Sequence, residues 1–188
     1  MARIEYDPRV LSHAPSRARR TLQSVGVLVG ALVSTPVLLA GCGGPASLPT
    51  ASLNQSVTVT LPGDDGAPFA IPPPGARYTV LEFWSPTCEP CKQILPAVLK
   101  KRAELAQKGA DLVHVAVLEQ GQSANDAKAT MAFWGVNERF VVDVDGAYMH
   151  KLGAKNVPAF AIVDAAGTLR WVAPDGITIS GLISAIPE

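Results

Sequence analysis

Cys88 and Cys91 stand two residues apart in the run Phe83-Trp84-Ser85-Pro86-Thr87-Cys88-Glu89-Pro90-Cys91-Lys92. Two thiols at this spacing either hold half of a zinc site or cycle between dithiol and disulfide. A zinc site needs two further ligands. The chain has one other cysteine, Cys42, and three histidines, His13, His114 and His150, far apart in the sequence. His114 lies inside an apolar, strand-like run. No metal ligand set and no cofactor is implied. What flanks the pair favours redox chemistry. An apolar run precedes it and a helical pattern follows, so Cys88 is expected at a helix N-terminus, where unpaired amides and the helix dipole favour a thiolate. Cys88 would then be the exposed nucleophile that attacks a substrate disulfide. Cys91, one turn on and more buried, would resolve the mixed disulfide. Pro90 fits the first helical turn, where its missing N–H costs nothing.

The elements that must position this pair are legible in outline. Val57–Leu61 alternates as a short strand, ended by a turn over residues 62–66. Pro72-Pro73-Pro74-Gly75 excludes regular structure. Tyr78–Trp84 is apolar and rich in β-formers, with Glu82 inside it, as a fully buried central strand would be. Residues 88–108 carry a helical pattern with Ile94, Leu95, Val98, Leu99 and Leu105 on one face; Pro96 should kink it. Lys100-Lys101-Arg102 reads as a solvated stretch of that helix. Residues 112–118 form the next strand, 124–134 a helix and 140–142 a short strand. Phe160–Val163 and Leu169–Val172 form a hairpin across Asp164–Gly167, and 177–186 a closing helix. Phe133, Trp134 and Tyr148 read as core. This alternation predicts an α/β fold, a mixed central sheet with helices on both faces.

With its Trp-Ser-Pro-Thr-Cys-Glu-Pro-Cys-Lys motif, the chain resembles the thioredoxin superfamily over about residues 57–186, most closely the membrane-tethered bacterial redoxins of the cytochrome c maturation type. The resemblance implies a thioredoxin-like fold and protein thiol–disulfide exchange. It implies that Val157-Pro158 is the cis-proline loop facing the dithiol, and that Trp84 packs beside the site. Glu89 and Pro90 match the pair common in the reducing extracytoplasmic group, and a carboxylate at Glu89 opposes a strongly stabilised thiolate. Glu82, six residues before Cys88, takes the position of a buried acid that moves the proton of the resolving thiol. The chain departs from the tethered members at Ile94, where many have Glu. That weakens transfer of the specific cytochrome c maturation role but leaves the dithiol chemistry untouched. An oxidising role is the main alternative. A peroxidase-like redoxin needs a different spacing around Cys88, and a copper chaperone on this fold would need wider cysteine spacing with a histidine, for which only His150 is available.

The remaining sequence concerns address. The chain has 188 residues, with 16 basic and 16 acidic side chains. Five arginines and only two acids precede residue 42. An uncharged run over residues 22–40 follows Arg17, Arg19 and Arg20, the layout of a secretory signal. Leu39-Ala40-Gly41-Cys42 resembles a lipobox, which implies cleavage before Cys42 and acylation of its thiol. Arg19-Arg20 also resembles a twin-arginine signal. Residues 1–41 are thus expected as signal, 42–56 as lipidated cysteine and tether, and 57–188 as the thioredoxin-like domain. Gly43 after the cysteine leans toward the outer membrane. The expected setting is the periplasmic side of the cell envelope. The expected partners are exported proteins with cysteines or disulfides, a membrane thiol electron donor, and the membrane itself through the lipid. Past residue 41 the basic residues are scattered among acids, which argues against nucleic acid.

Overall fold

A computed structural model describes residues 51–176 and 178–188. The signal run, the lipobox and Cys42 lie outside these residues. The main sheet has five strands in the order β5-β4-β3-β6-β7. Its central strand is β3 (Tyr78–Trp84), buried at all seven positions. β4 (Ala110–Leu118) and β5 (Phe140–Val144) run parallel to it. β6 (Ala159–Asp164) and β7 (Leu169–Val172) form the antiparallel hairpin on its other side. That hairpin turns at Gly167, whose φ is +77° and where an added Cβ would lie 2.1 Å from the Thr58 methyl. Only glycine satisfies both conditions.

Strand alternation divides the core. Leu81 and Phe83 of β3 face one side with Tyr148, Met149 and Leu152. Val80 and Trp84 face the other, under α1 (Cys91–Leu99), α2 (Arg102–Gln107), α3 (Ala124–Phe133) and α5 (Ile179–Ala185). The mixed sheet with helices on both faces is the thioredoxin-like arrangement expected.

Several elements differ from the sequence reading. The helix expected over 88–108 is two. α1 begins at Cys91, while Cys88 sits in the turn before it, with the Cys91 N–H donating to the Cys88 carbonyl at 3.1 Å. α1 continues past Pro96 and stops at Leu99, where the Lys101 N–H turns back to the Val98 carbonyl at 2.9 Å. Pro96 has no N–H to offer the preceding turn, which weakens the helix there. Lys101 and Arg102 at the break are exposed and reach Glu104 and Glu138. A second strand, β2 (Pro68–Ile71), pairs with β1 (Val59–Pro62) and was not foreseen. Neither was α4 (Ala147–Lys151), whose first amides are held by Asp143. Residues 51–56, whose composition reads as tether, lie against the domain: the Asn54 N–H donates to the Leu169 carbonyl at 2.8 Å and Ser56 bridges to Thr168.

Candidate active site

β3 delivers the site. It ends at Trp84, and Ser85–Pro90 turn the chain from the end of this central strand into α1. The Ser85 and Thr87 hydroxyls lie 3.3 Å apart across this turn. α1 forms because Cys91, Leu95 and Val98 recur at helical spacing on its buried face, and because Pro90 already has helical torsions at its start. Cys88 and Cys91 are disulfide-bonded, with Cα atoms 5.3 Å apart. Cys91 is fully buried, while Cys88 retains 7% of its surface. The Cys91 N–H also points at Cys88 Sγ, at 3.2 Å. A helix-start amide aimed at that sulfur lowers the free energy of its thiolate.

The surroundings are mostly apolar. Trp84 is fully buried and packs edge-on against Trp134 at 5.6 Å and Phe140 at 5.8 Å between ring centroids. The Val157–Pro158 peptide is cis, and Val157 packs against the cluster that holds both cysteines. Glu89 is exposed and 3.9 Å from Lys92 Nζ. Lys92 in turn sits over the ring of Phe133, 5.7 Å from its centroid. Phe133 is 80% exposed, so it is a surface residue and not core; Trp134 is half-buried, and Tyr148 is buried, donating its hydroxyl to the Val57 carbonyl at 2.9 Å.

Glu82 lies under α1. Alternation puts it on the face of Val80 and Trp84, and it is fully buried. Its Oε2 is 2.6 Å from His114 Nδ1 of β4, and His114 is itself 1% exposed. Oε1 of Glu82 and Nε2 of His114 have no hydrogen-bond partner among the described residues. The sequence shows His114 only as a histidine in an apolar run; the parallel pairing of β3 with β4 is what places it directly opposite Glu82.

The chemistry open to this arrangement is thiol–disulfide exchange at one sulfur, resolved by its neighbour. Residues 54–172 match the AhpC/TSA family. The chain belongs to that family. It is 30% identical over 101 residues to the thiol-disulfide oxidoreductase YkuV of Bacillus subtilis (strain 168), a match spanning 51% of this chain and 66% of that protein, just short of two thirds. Among solved structures, it is similar to StoA from Bacillus subtilis, with 20% identity, 70% of this chain and 98% of that one covered, and a TM-score of 0.57. It is also similar to the exposed lipoprotein thioredoxin Etrx1 of Streptococcus pneumoniae strain TIGR4, with 20% identity, 69% and 97% covered, and a TM-score of 0.54. These structural likenesses establish the thioredoxin-like fold, in which Cys88 and Cys91 are joined as a disulfide just before and at the start of α1.

Proposed function

We propose that this protein is an extracytoplasmic thiol–disulfide oxidoreductase that reduces disulfides in exported proteins. The observation that carries this is the Cys88–Cys91 disulfide at the start of α1, the outer sulfur under a helix-start amide and the inner one sealed against Trp84 and Leu95. Reduced Cys88 attacks the substrate disulfide, forming one S–S bond and releasing one substrate thiol. Cys91 then attacks Cys88 Sγ, closing the internal disulfide and releasing the second substrate thiol. Glu82 takes the Cys91 proton. A depression of about 280 Å³ bordered by Ser85 and Val157 adjoins the site and suits a substrate segment. Return to the dithiol requires a membrane thiol donor. The lipobox around Cys42 supports a lipid anchor on the periplasmic side, leaning to the outer membrane.

The reductive direction is tested by the potential of the pair, measured in thiol redox buffers with the full chain in mild detergent. A value near about −270 mV, as for thioredoxin, is expected. A value near about −120 mV would mean an oxidant and would reverse the direction proposed.

Family membership favours one second reading, peroxide reduction. That chemistry wants an arginine beside the reactive thiolate. The four arginines among the described residues are engaged elsewhere: Arg77 with the Glu188 carbonyl, Arg102 with Glu138, Arg139 with Asp64 and Asp65, and Arg170 with Asp164. Hydrogen peroxide consumption by the reduced protein should be slow beside its reduction of a protein disulfide; the reverse order would favour the peroxidase.

A further inference from the structure

A buried carboxylate that accepts the proton of Cys91 must also lose it, once per turnover. Glu82 has no surface of its own. Its one polar contact among the described residues is His114, at 2.6 Å. His114 lines a cavity of about 380 Å³ that runs between α2, the start of β5 and the β1–β2 hairpin. The cavity is rimmed by the exposed residues Asp65, Arg102 and Arg139. This volume holds several waters at roughly 30 Å³ each. It forms because β4 is longer than its outer neighbour. β5 pairs with β4 only from His114 onward, so the β4 edge before His114 is left uncovered. His114 therefore stands between the buried acid and the cavity, and its Nε2 is buried with no partner among the described residues.

We infer that His114 is the proton exit of the redox site, carrying protons between Glu82 and the cavity. This rests on the reading of Glu82 as the acceptor for Cys91. With the imidazole doubly protonated, Nδ1–H donates to Glu82 Oε2. When Cys91 attacks the mixed disulfide, its thiol proton goes to Glu82 Oε1 and the imidazolium releases its Nε2 proton toward the cavity, whose water takes it up. One proton enters the pair and one leaves, so the pair stays neutral throughout. The electron pair of the Cys91 thiolate forms the Cys88–Cys91 bond. The bond from Cys88 to the substrate sulfur breaks, and that sulfur leaves as thiolate. The substrate disulfide is the oxidant. The reverse sequence serves re-reduction by a dithiol donor.

The charged groups around His114 are few. β3 brings Glu82. The cavity brings Arg102 of α2, Glu138 and Arg139 of the segment before β5, and Asp65 of the hairpin. Arg102 is paired with Glu138 at 2.8 Å, and Arg139 with Asp64 and Asp65. The buried face of α1 contributes Cys91, Leu95 and Val98, and β6 contributes Phe160 opposite Glu82, none of them charged.

The test separates attack from resolution. The reduced full chain, in mild detergent, is mixed with the aromatic disulfide DTNB. Cys88 releases a first coloured thiolate in a bimolecular phase, and Cys91 a second in a unimolecular one. The variant H114N keeps a side-chain N–H that can reach Glu82 but has no second ring nitrogen to pass a proton on. It should leave the first phase unchanged and slow the second on the order of tenfold, less than the hundredfold or more of a direct acid–base group. It should also flatten the pH profile of the second phase. In H114A the same loss should be largely restored by free imidazole, which the cavity admits. A purely structural role for His114 would slow both phases or gain nothing from imidazole. A second phase at the wild-type rate and pH profile in H114N, or a slow one in H114A that imidazole leaves unchanged, overturns the inference. E82Q is the control: a wild-type second phase there would instead remove the underlying reading of Glu82.

Discussion

Cys88 and Cys91 lie three residues apart in one apolar cluster and differ in how far each can be reached. The first keeps a thin exposed face under the Cys91 amide; the second is sealed. This asymmetry predicts what trapping will show. Cys91→Ser should accumulate mixed disulfides with cysteine-bearing exported proteins, because attack proceeds and resolution does not. Cys88→Ser should accumulate almost none, because the buried thiol cannot be reached. Non-reducing gels of cells carrying each variant check this, and equal trapping by both would contradict the assignment of nucleophile and resolver. At this scale the sequence was informative where residue type alone carries chemistry. A C-x-x-C, a proline before a strand and a carboxylate within an apolar run each stand out. His114 did not, because a histidine in a strand acquires meaning only from what lies across the ladder, and register between distant strands is a tertiary property.

The elements show the same division between local and long-range causes. β3, β4 and β6 were legible because largely apolar runs of this length have few other uses, and β7 because a turn sequence separates it from β6. β2 was not, since Pro68-Phe69-Ala70-Ile71 is stabilised by pairing with β1 and by burial of Ile71 and not by its own propensity. α4 was also hidden. It is five residues long and depends on Asp143, buried at the end of β5, which accepts from the Tyr148 and Met149 amides at 2.9 and 2.8 Å. Burial holds the Asp143 carboxyl above its ordinary range, against the pull of those two amides. The folded protein therefore binds this proton more tightly than the unfolded chain does. The resulting stability is full below the ordinary carboxylate pKa and is lost as pH rises through the folded value. Asp143→Asn cannot titrate, so its stability relative to wild type should improve as pH rises across that window. Thermal melts from about pH 3 to pH 7 measure this, and the opposite slope would mean that the amides outweigh burial. Tyr148→Phe removes the donor to the buried Val57 carbonyl. It should cost about 1 kcal/mol by chemical denaturation, a typical net hydrogen bond; no loss would mean that the carbonyl finds another donor.

For the whole molecule, what matters is where the redox site works, and this depends on residues outside the folded domain. Among the described residues no helix is long and apolar enough to cross a membrane. The membrane attachment proposed above is carried by the N-terminal run, and within it two arrangements compete. An uncleaved apolar run of 19 residues is long enough to span a bilayer. A lipid on Cys42 would instead hold the protein by buried acyl CH₂ groups, each contributing about 0.8 kcal/mol, with more than one chain needed for stable anchoring. The two differ in what a single atom does. If the Cys42 sulfur carries the lipid, Cys42→Ser blocks acylation and the processing that follows it. The variant should keep its leader, run larger on a gel and fail to incorporate a labelled fatty acid, while the wild type incorporates it. If the apolar run is an anchor, Cys42→Ser should behave as wild type in size and membrane association, with no label in either. The first outcome ties the domain to the bilayer through residues 43–53, because the chain meets the domain at Asn54. A thiol donor embedded in the same membrane would then meet Cys88 at high effective concentration. Inserting a flexible segment between Cys42 and Ala51 should accordingly alter re-reduction by that donor while leaving the rate with a soluble dithiol unchanged.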